Sequence, residues 1–283
     1  MRFSSLSLAA AAVSLAAITT LKPTSAHTWL DCIDHDHKVV LENSSEWVFG
    51  AEKGNSVCES HMRGYAGRGD VDINTKDTYK LPRDQLQNPN VPICQFTYAE
   101  GYTGGWRKEL KAKPNDTIYF AYLPNGHVAK DVWARKTQYG VYSSGLPGVE
   151  LTFTTDMDES KLVSGSKHSF DDLNCGETYD RQGNPSHRAG DHVPCVGSLK
   201  IPEDAAPGRH QFVWAWKFYT EGTDYSGPKD FIDFLYTSCF DVEVQGGGDS
   251  LVGGEADPTA AKHDDQQPAA ADNQVKKCDG SPP

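Results

Sequence analysis

Residues 211–218 read Gln-Phe-Val-Trp-Ala-Trp-Lys-Phe, which sets Phe212, Trp214, Trp216 and Phe218 at every second position. That period belongs to an extended strand, because successive side chains leave a strand on opposite faces, and it does not suit a helix. Four large rings on one face need an apolar surface opposite them, so this strand must lie inside a packed sheet. Alternation recurs in Phe240–Val244 and, less strictly, in Thr117–Leu123 and Val149–Thr154, which are predicted strands. Turn clusters such as Leu146-Pro147-Gly148 and Ala206-Pro207-Gly208 separate them. No long segment keeps a helical apolar stripe with caps.

Residues 1–26 run from Met1-Arg2 through an apolar stretch, Leu6 to Leu21, to Thr24-Ser25-Ala26. A basic start, a short apolar stretch and small residues before a cut site are the parts of a secretory signal peptide cleaved after Ala26. The stretch is short for a membrane span, and no later segment approaches the length needed. The chain is expected to be secreted and extracellular, with no membrane partner. Export makes cysteines structural. Cys32, Cys58, Cys94, Cys175, Cys195 and Cys239 can form three disulfides in fifteen connectivities. Cys175–Cys195 is the expected local clasp and Cys94–Cys239 the expected long-range staple, with Cys278 left over. Strands, long loops and disulfides together predict an all-β fold, an immunoglobulin- or fibronectin-like β-sandwich stapled by disulfides. Asn43-Ser44-Ser45 and Asn115-Asp116-Thr117 are glycosylation sequons.

Three spans are expected: a signal peptide over 1–26, one sandwich domain over 27–245, and a disordered tail over 246–283. The tail is Gly, Ala, Asp, Gln and Pro with almost nothing to bury. A net charge of −12 excludes a general nucleic-acid binder, whose partner demands a basic footprint. Two long loop regions are expected to shape a binding surface. Residues 58–115 are rich in Gly, Arg, Asn and Pro, and 164–197 holds His168, His187 and His192.

Cleavage after Ala26 has a chemical consequence. The mature chain would begin His27-Thr28-Trp29, and a terminal histidine offers an α-amine and an imidazole to one metal. The amine's ordinary pKa of about 7.7–8.0 lets a metal displace its proton near neutrality. Two features belong with it. Leu123-Pro124-Asn125-Gly126-His127-Val128 sets a histidine just past a predicted strand, and Tyr236-Thr237-Ser238-Cys239 leads into Phe240–Val244. In combination these resemble the lytic polysaccharide monooxygenases, copper enzymes with a histidine brace. The opening His27-Thr28-Trp29-Leu30-Asp31-Cys32 and the strand ending in Trp214-Ala215-Trp216 are most similar to the oomycete, pectin-active auxiliary-activity family seventeen. The resemblance covers about residues 27–245.

The resemblance implies one copper ion per domain, held by the amine and ring of His27 and by His127, with Tyr236 axial; these three would be the catalytic residues. Copper's preference for nitrogen ligands in a tetragonal arrangement suits that set. It also implies a polysaccharide substrate, homogalacturonan first, with O2 or H2O2 and an external reductant, and a monomer. In related families a Gln or Glu sits two residues before the axial tyrosine. Here that position is Phe234, which leaves Asp233 or Gln211 to supply the function.

Other readings compete residue by residue. His61, in Cys58-Glu59-Ser60-His61, is an alternative second ligand. Tyr236 precedes Cys239 by three positions, whereas an immunoglobulin tyrosine corner sets Tyr two before Cys. At that spacing the two face opposite ways unless a bulge intervenes. Asp34-His35-Asp36-His37 would put His35 and His37 on one strand face as an adventitious site. His168, His187 and His192 follow no zinc spacing, and neither His-Glu-x-x-His nor Gly-x-Ser-x-Gly occurs. A two-carboxylate hydrolase is a further alternative, because many acids are present.

A pectin substrate is polyanionic and this domain is acidic, so local patches must decide binding. Arg107-Lys108-Glu109-Leu110-Lys111-Ala112-Lys113 is a basic cluster, and Arg63, Arg68, Arg135 and Lys136 lie in or beside loops. Arg107 and Lys108 are the expected contacts for galacturonate carboxylates, and Trp29, Tyr65 and Trp106 the expected sugar-stacking rings. The alternatives in function are the same chemistry on cellulose, chitin or hemicellulose, a non-catalytic copper-binding protein, or a secreted carbohydrate-binding or effector module without metal.

Overall fold

The alternating segments form the two layers of a β-sandwich. The structure is a computed structural model that describes residues 27–49, 57–219 and 232–246. The expected signal peptide, Cys278 and nearly all of the expected tail lie outside the described residues. The strands, in chain order, are β1 (Leu30–Asp34), β2 (Lys80–Pro82), β3 (Leu110–Ala112), β4 (Thr117–Tyr122), β5 (Gln138–Tyr142), β6 (His168–Ser169), β7 (Cys195–Lys200), β8 (Gly208–Phe218) and β9 (Phe234–Val244). One sheet runs β1-β4-β7; the other runs β2-β9-β8-β5-β6, with β3 paired parallel to β9. Described helices are short, and none is long and apolar enough to cross a membrane.

The core between the sheets is built from the predicted rings. Phe212, Trp214, Trp216 and Phe218 of β8 and Tyr236, Phe240 and Val242 of β9 meet Ile118, Phe120 and Tyr122 of β4. Each is at most 2% exposed, and burying such a side chain contributes about 1.5–3 kcal/mol. β8 and β9 pair without a bulge from Gly208↔Val244 to Phe218↔Phe234. The regular register sends Tyr236 inward, while Cys239 joins a second apolar layer with Val213, Ala215 and Leu235. Leu81, Ile93 and Leu151 cover that outer face, which explains the apolar residues between the rings of β8.

All three disulfides close among the six cysteines: Cys94–Cys239 and Cys175–Cys195 as expected, and Cys32–Cys58. One predicted strand is corrected. Residues 149–154 form no ladder; Ile93 N donates to Thr152 O and Thr154 N to Val91 O around an isolated bridge, and the chain then turns into a 3-10 segment. A side chain takes the place of a neighbouring strand there, because Leu151 N donates to Gln211 Oε1 at 2.7 Å. Both sequon asparagines, Asn43 and Asn115, are exposed.

Candidate metal centre

The position of His27 follows from the pairing of β1 with β4, in which Leu30 opposes Tyr122. The chain before Leu30 therefore runs along the segment that follows Tyr122. Thr28 Oγ1 donates to Leu123 O at 3.0 Å, and the Asn125 side-chain amide donates to His27 O. Leu30 N donates to Ser238 Oγ at 3.1 Å, tying the same segment to β9 two residues beyond Tyr236.

His127 sits in a tight turn. Its N–H donates to Pro124 O at 3.0 Å, and its carbonyl accepts from Ala134 N at 2.9 Å. Asn125 and Gly126 take positive φ (46° and 101°), and so does the β-branched Val132 (60°), a costly conformation that the surrounding contacts must hold. Asp131 N folds back onto Gly126 O, which brings the Asp131 carboxylate to 2.7 Å from His127 Nδ1. The imidazole is wholly buried, with ring centroids 5.4 Å from Phe218 and 6.1 Å from Trp216. Neither Nδ1 nor Nε2 makes an aligned hydrogen bond.

Tyr236 belongs to the same group. Its ring lies 4.9 Å from Trp216 and 6.2 Å from Phe218, the two rings that also flank His127. Burial, and then the charge of Asp131, hold the Tyr236 phenol far above its ordinary pKa. The structure thus gathers the His27 segment, His127 and Tyr236 at one end of the sandwich.

A cleft of about 370 Å³ opens beside them, lined by His27, Asn125, Gly126, Lys130, Glu177 and Asp191 among others. Glu177 is 7% exposed; one of its oxygens accepts from Gly126 N, and the other is buried with no partner. Gly176, at φ 126°, lets this segment close on Val128, whose Cγ2 would lie 2.5 Å from any Cβ there.

The donor set fits a metal. A metal-ligating histidine generally presents its other ring nitrogen to a carboxylate, which fixes the tautomer. The Asp131 carboxylate stands 2.7 Å from Nδ1, within reach of that role, and neither ring nitrogen makes an aligned hydrogen bond to the protein. The geometric cluster Asp172, Cys175 and Cys195 is no competitor, because its two sulfurs are bonded to each other. Of the two residues expected to supply the function of the Phe234 position, Gln211 is turned to the outer face, where it bonds Leu151. Asp233 lies 3.7 Å from Arg83. The nearby carboxylates are Asp131, beside His127, and Glu177 and Asp191, which line the cleft. Only the spacing of His127 and Asp131, four apart in a turn, could have flagged the first.

Two of the three expected sugar-stacking rings are corrected. Trp29 is fully buried with Nε1 on Asp31, and Tyr65 is 2% exposed, so neither offers a stacking face. Trp106 is half-buried beneath the Arg107 guanidinium, 4.4 Å away, and Arg107 donates to the Tyr65 and Thr103 carbonyls. Arg63 is spent on Asp241 and Glu150, and Arg68 on Asp31. Lys108 is exposed, and Lys136 lines a separate pocket. His61 is buried, stacked on Tyr65 at 4.9 Å, and burial beside Arg107 lowers its pKa to about 4. β1 ends before His35, which turns to Glu59, while His37 meets Tyr119, so the two share no strand face.

Residues 151–273 match a family described as a domain of unknown function, DUF7492. No curated protein matches the chain. Among solved structures the chain is similar to a glycoside hydrolase family 61 member, Cel61B from Hypocrea jecorina. That likeness has 17% identity and a TM-score of 0.33, covering 59% of this chain and 62% of the other. It is similar also to the extended catalytic domain of H. jecorina LPMO9A, also known as EG4, at 17% identity and TM-score 0.35, covering 81% and 77%. A chitin binding domain from Burkholderia pseudomallei matches at 9% identity and TM-score 0.28, covering 78% of this chain and all of that one.

Proposed function

We propose that the chain is a secreted copper-dependent monooxygenase that oxidatively cleaves glycosidic bonds of a polysaccharide, with homogalacturonan as its substrate. The observation that carries this reading is His127, whose Nδ1 faces Asp131 and whose buried Nε2 has no partner, in the turn that also holds the His27 segment. After cleavage behind Ala26, His27 would hold the metal through its amine and ring, His127 through Nε2, and Tyr236 through its phenol oxygen. Bound there, copper supplies one-electron chemistry with O2 or H2O2 when an external reductant is present. Asp131 keeps the proton of His127 on Nδ1. Phe218 and Trp216 wall the imidazole from water, with Tyr236 packed behind Trp216. Asn125, bonded to His27 O, and Leu123, bonded to Thr28, hold the His27 segment at the cleft, where Glu177 can take or return a proton at its unpartnered oxygen.

The test is to produce the chain with His27 as its true N-terminus, load it with copper, and incubate it with ascorbate and demethylated homogalacturonan. Mass spectrometry should find oxidised oligogalacturonides only with reductant. Oxidised products from cellulose or chitin instead would move the substrate and keep the chemistry. Complete burial of the His127 imidazole favours one second reading, a copper-binding protein without catalysis. Tight copper binding with no oxidised product from any of the three polymers would select it.

A further inference from the structure

On the outer face of the second sheet, three lysines converge on one pocket. Lys136 follows the His127 turn, Lys167 precedes β6, and Lys217 lies on β8; with Tyr142, Tyr219 and Gly140 they line a volume of about 170 Å³. The register explains the convergence. Lys217 opposes Gln138 across β8 and β5, and β6 pairs with the same end of β5. Gly140 lines the pocket, and its missing side chain lets Leu162 and Tyr142 pack there, since a Cβ would meet Leu162 Cδ1 at 2.7 Å. The Lys217 ammonium lies over the Tyr142 ring at 5.6 Å and 3.3 Å from Glu159 on the rim. Arg83 stands over the other tyrosine, Tyr219, at 4.5 Å.

Such a concentration of cations in a chain of net charge −12 selects an anionic ligand against the overall field. The hollow is smaller than the roughly 300–1,000 Å³ of sites for drug-sized ligands, so it suits one sugar ring and not an oligomer. Tyrosines and Gln138 lining the pocket beside ammonium groups match a ring carrying both hydroxyls and a carboxylate. Lys217 follows Trp216 and precedes Phe218, whose rings flank His127 from the opposite face, so pocket and candidate metal centre share one end of β8.

We propose that this lysine pocket is a subsite for the carboxylate of a uronic-acid residue. The inference rests on the polysaccharide reading for its polymer and on the pocket itself for its charge. Binding is measured calorimetrically on the copper-free chain with trigalacturonate, with the uncharged galactose trimer and with inorganic phosphate. Trigalacturonate should bind at least tenfold more tightly than either of the others. The double variant Lys167→Gln/Lys217→Gln, shown folded by its circular dichroism spectrum, should lose at least tenfold in that affinity. Absent binding of trigalacturonate, equal binding of the neutral trimer or of phosphate, or an unchanged affinity in the double variant would each overturn the proposal. Because copper takes no part in this measurement, its failure beside reductant-dependent oxidation would remove the subsite alone. Its success without oxidation would remove the monooxygenase reading alone.

Discussion

The carboxylate of Asp131 lies 2.7 Å from Nδ1 of His127, four residues earlier in the same turn, and both side chains are buried. A carboxylate in that position orients a ligating imidazole and raises its basicity. Replacing Asp131 by Asn should weaken copper binding to the His27-terminated chain by about 10–100-fold. Calorimetric titration checks this, and an unchanged affinity would reduce Asp131 to a packing role.

Glu177 presents a different signature. Glu177→Gln keeps an acceptor for Gly126 N and removes the ability to carry a proton. Copper affinity should hold while the rate of reductant-dependent product formation falls by about 10²-fold or more, as for the loss of an acid–base group. Equal losses in affinity and rate would place Glu177 in the scaffold instead.

His61 and Asp77 give the stability profile two opposing slopes. Burial drops His61 to about 4 and lifts Asp77, first by burial and also through nearby Asp31, to about 8. Between pH 4 and about 6.5 the unfolded chain holds the His61 proton and the folded chain does not, so stability rises with pH. Over pH 4–8 the folded chain keeps the Asp77 proton that the unfolded chain has lost, so stability falls with pH. Each slope is about 1.4 kcal/mol per pH unit, so the two cancel below pH 6.5 and only the fall continues above it. Asp77→Asn should therefore gain thermal stability relative to the parent as pH rises from 5 to 8. Parallel melting curves across that range would show that Asp77 titrates as an ordinary carboxyl.

The disulfides should rank by the loops they close. Chain-entropy arithmetic gives about 5 kcal/mol for the 145-residue separation of Cys94–Cys239 and a little over 3 kcal/mol for the 20-residue separation of Cys175–Cys195. Paired Cys→Ser variants followed by urea denaturation measure the order. A larger loss from the shorter loop would mean that native packing around Cys175 dominates.

The period-two rings of β8 made its fold and inward face legible, because alternation is a local property. The same parity argument placed Tyr236 and Cys239 on opposite faces, and the bulge-free register carries it out. Charged residues were less legible. Arg63 looked available in its loop, yet its partner Asp241 stands 178 positions away in β9, and no local signal reports such a pair. Trp29 and Tyr65 are buried by the fold around them, which their neighbours in sequence do not reveal. The lysine pocket joins residues 136, 167 and 217 from three separate segments, and Glu177 reaches the His27 cleft only through the turn after Cys175.

The Cys94–Cys239 bond has a consequence for oxidative folding. A slip of β9 by one position would turn Cys239 toward the ring layer, out of reach of Cys94, and would turn Tyr236 outward in the same movement. Covalent closure is therefore open only to chains whose last strand has docked with Tyr236 facing in. The bond acts as a proofreader: a cell that exports only fully oxidised chains exports only chains in which this end of the sandwich is already assembled.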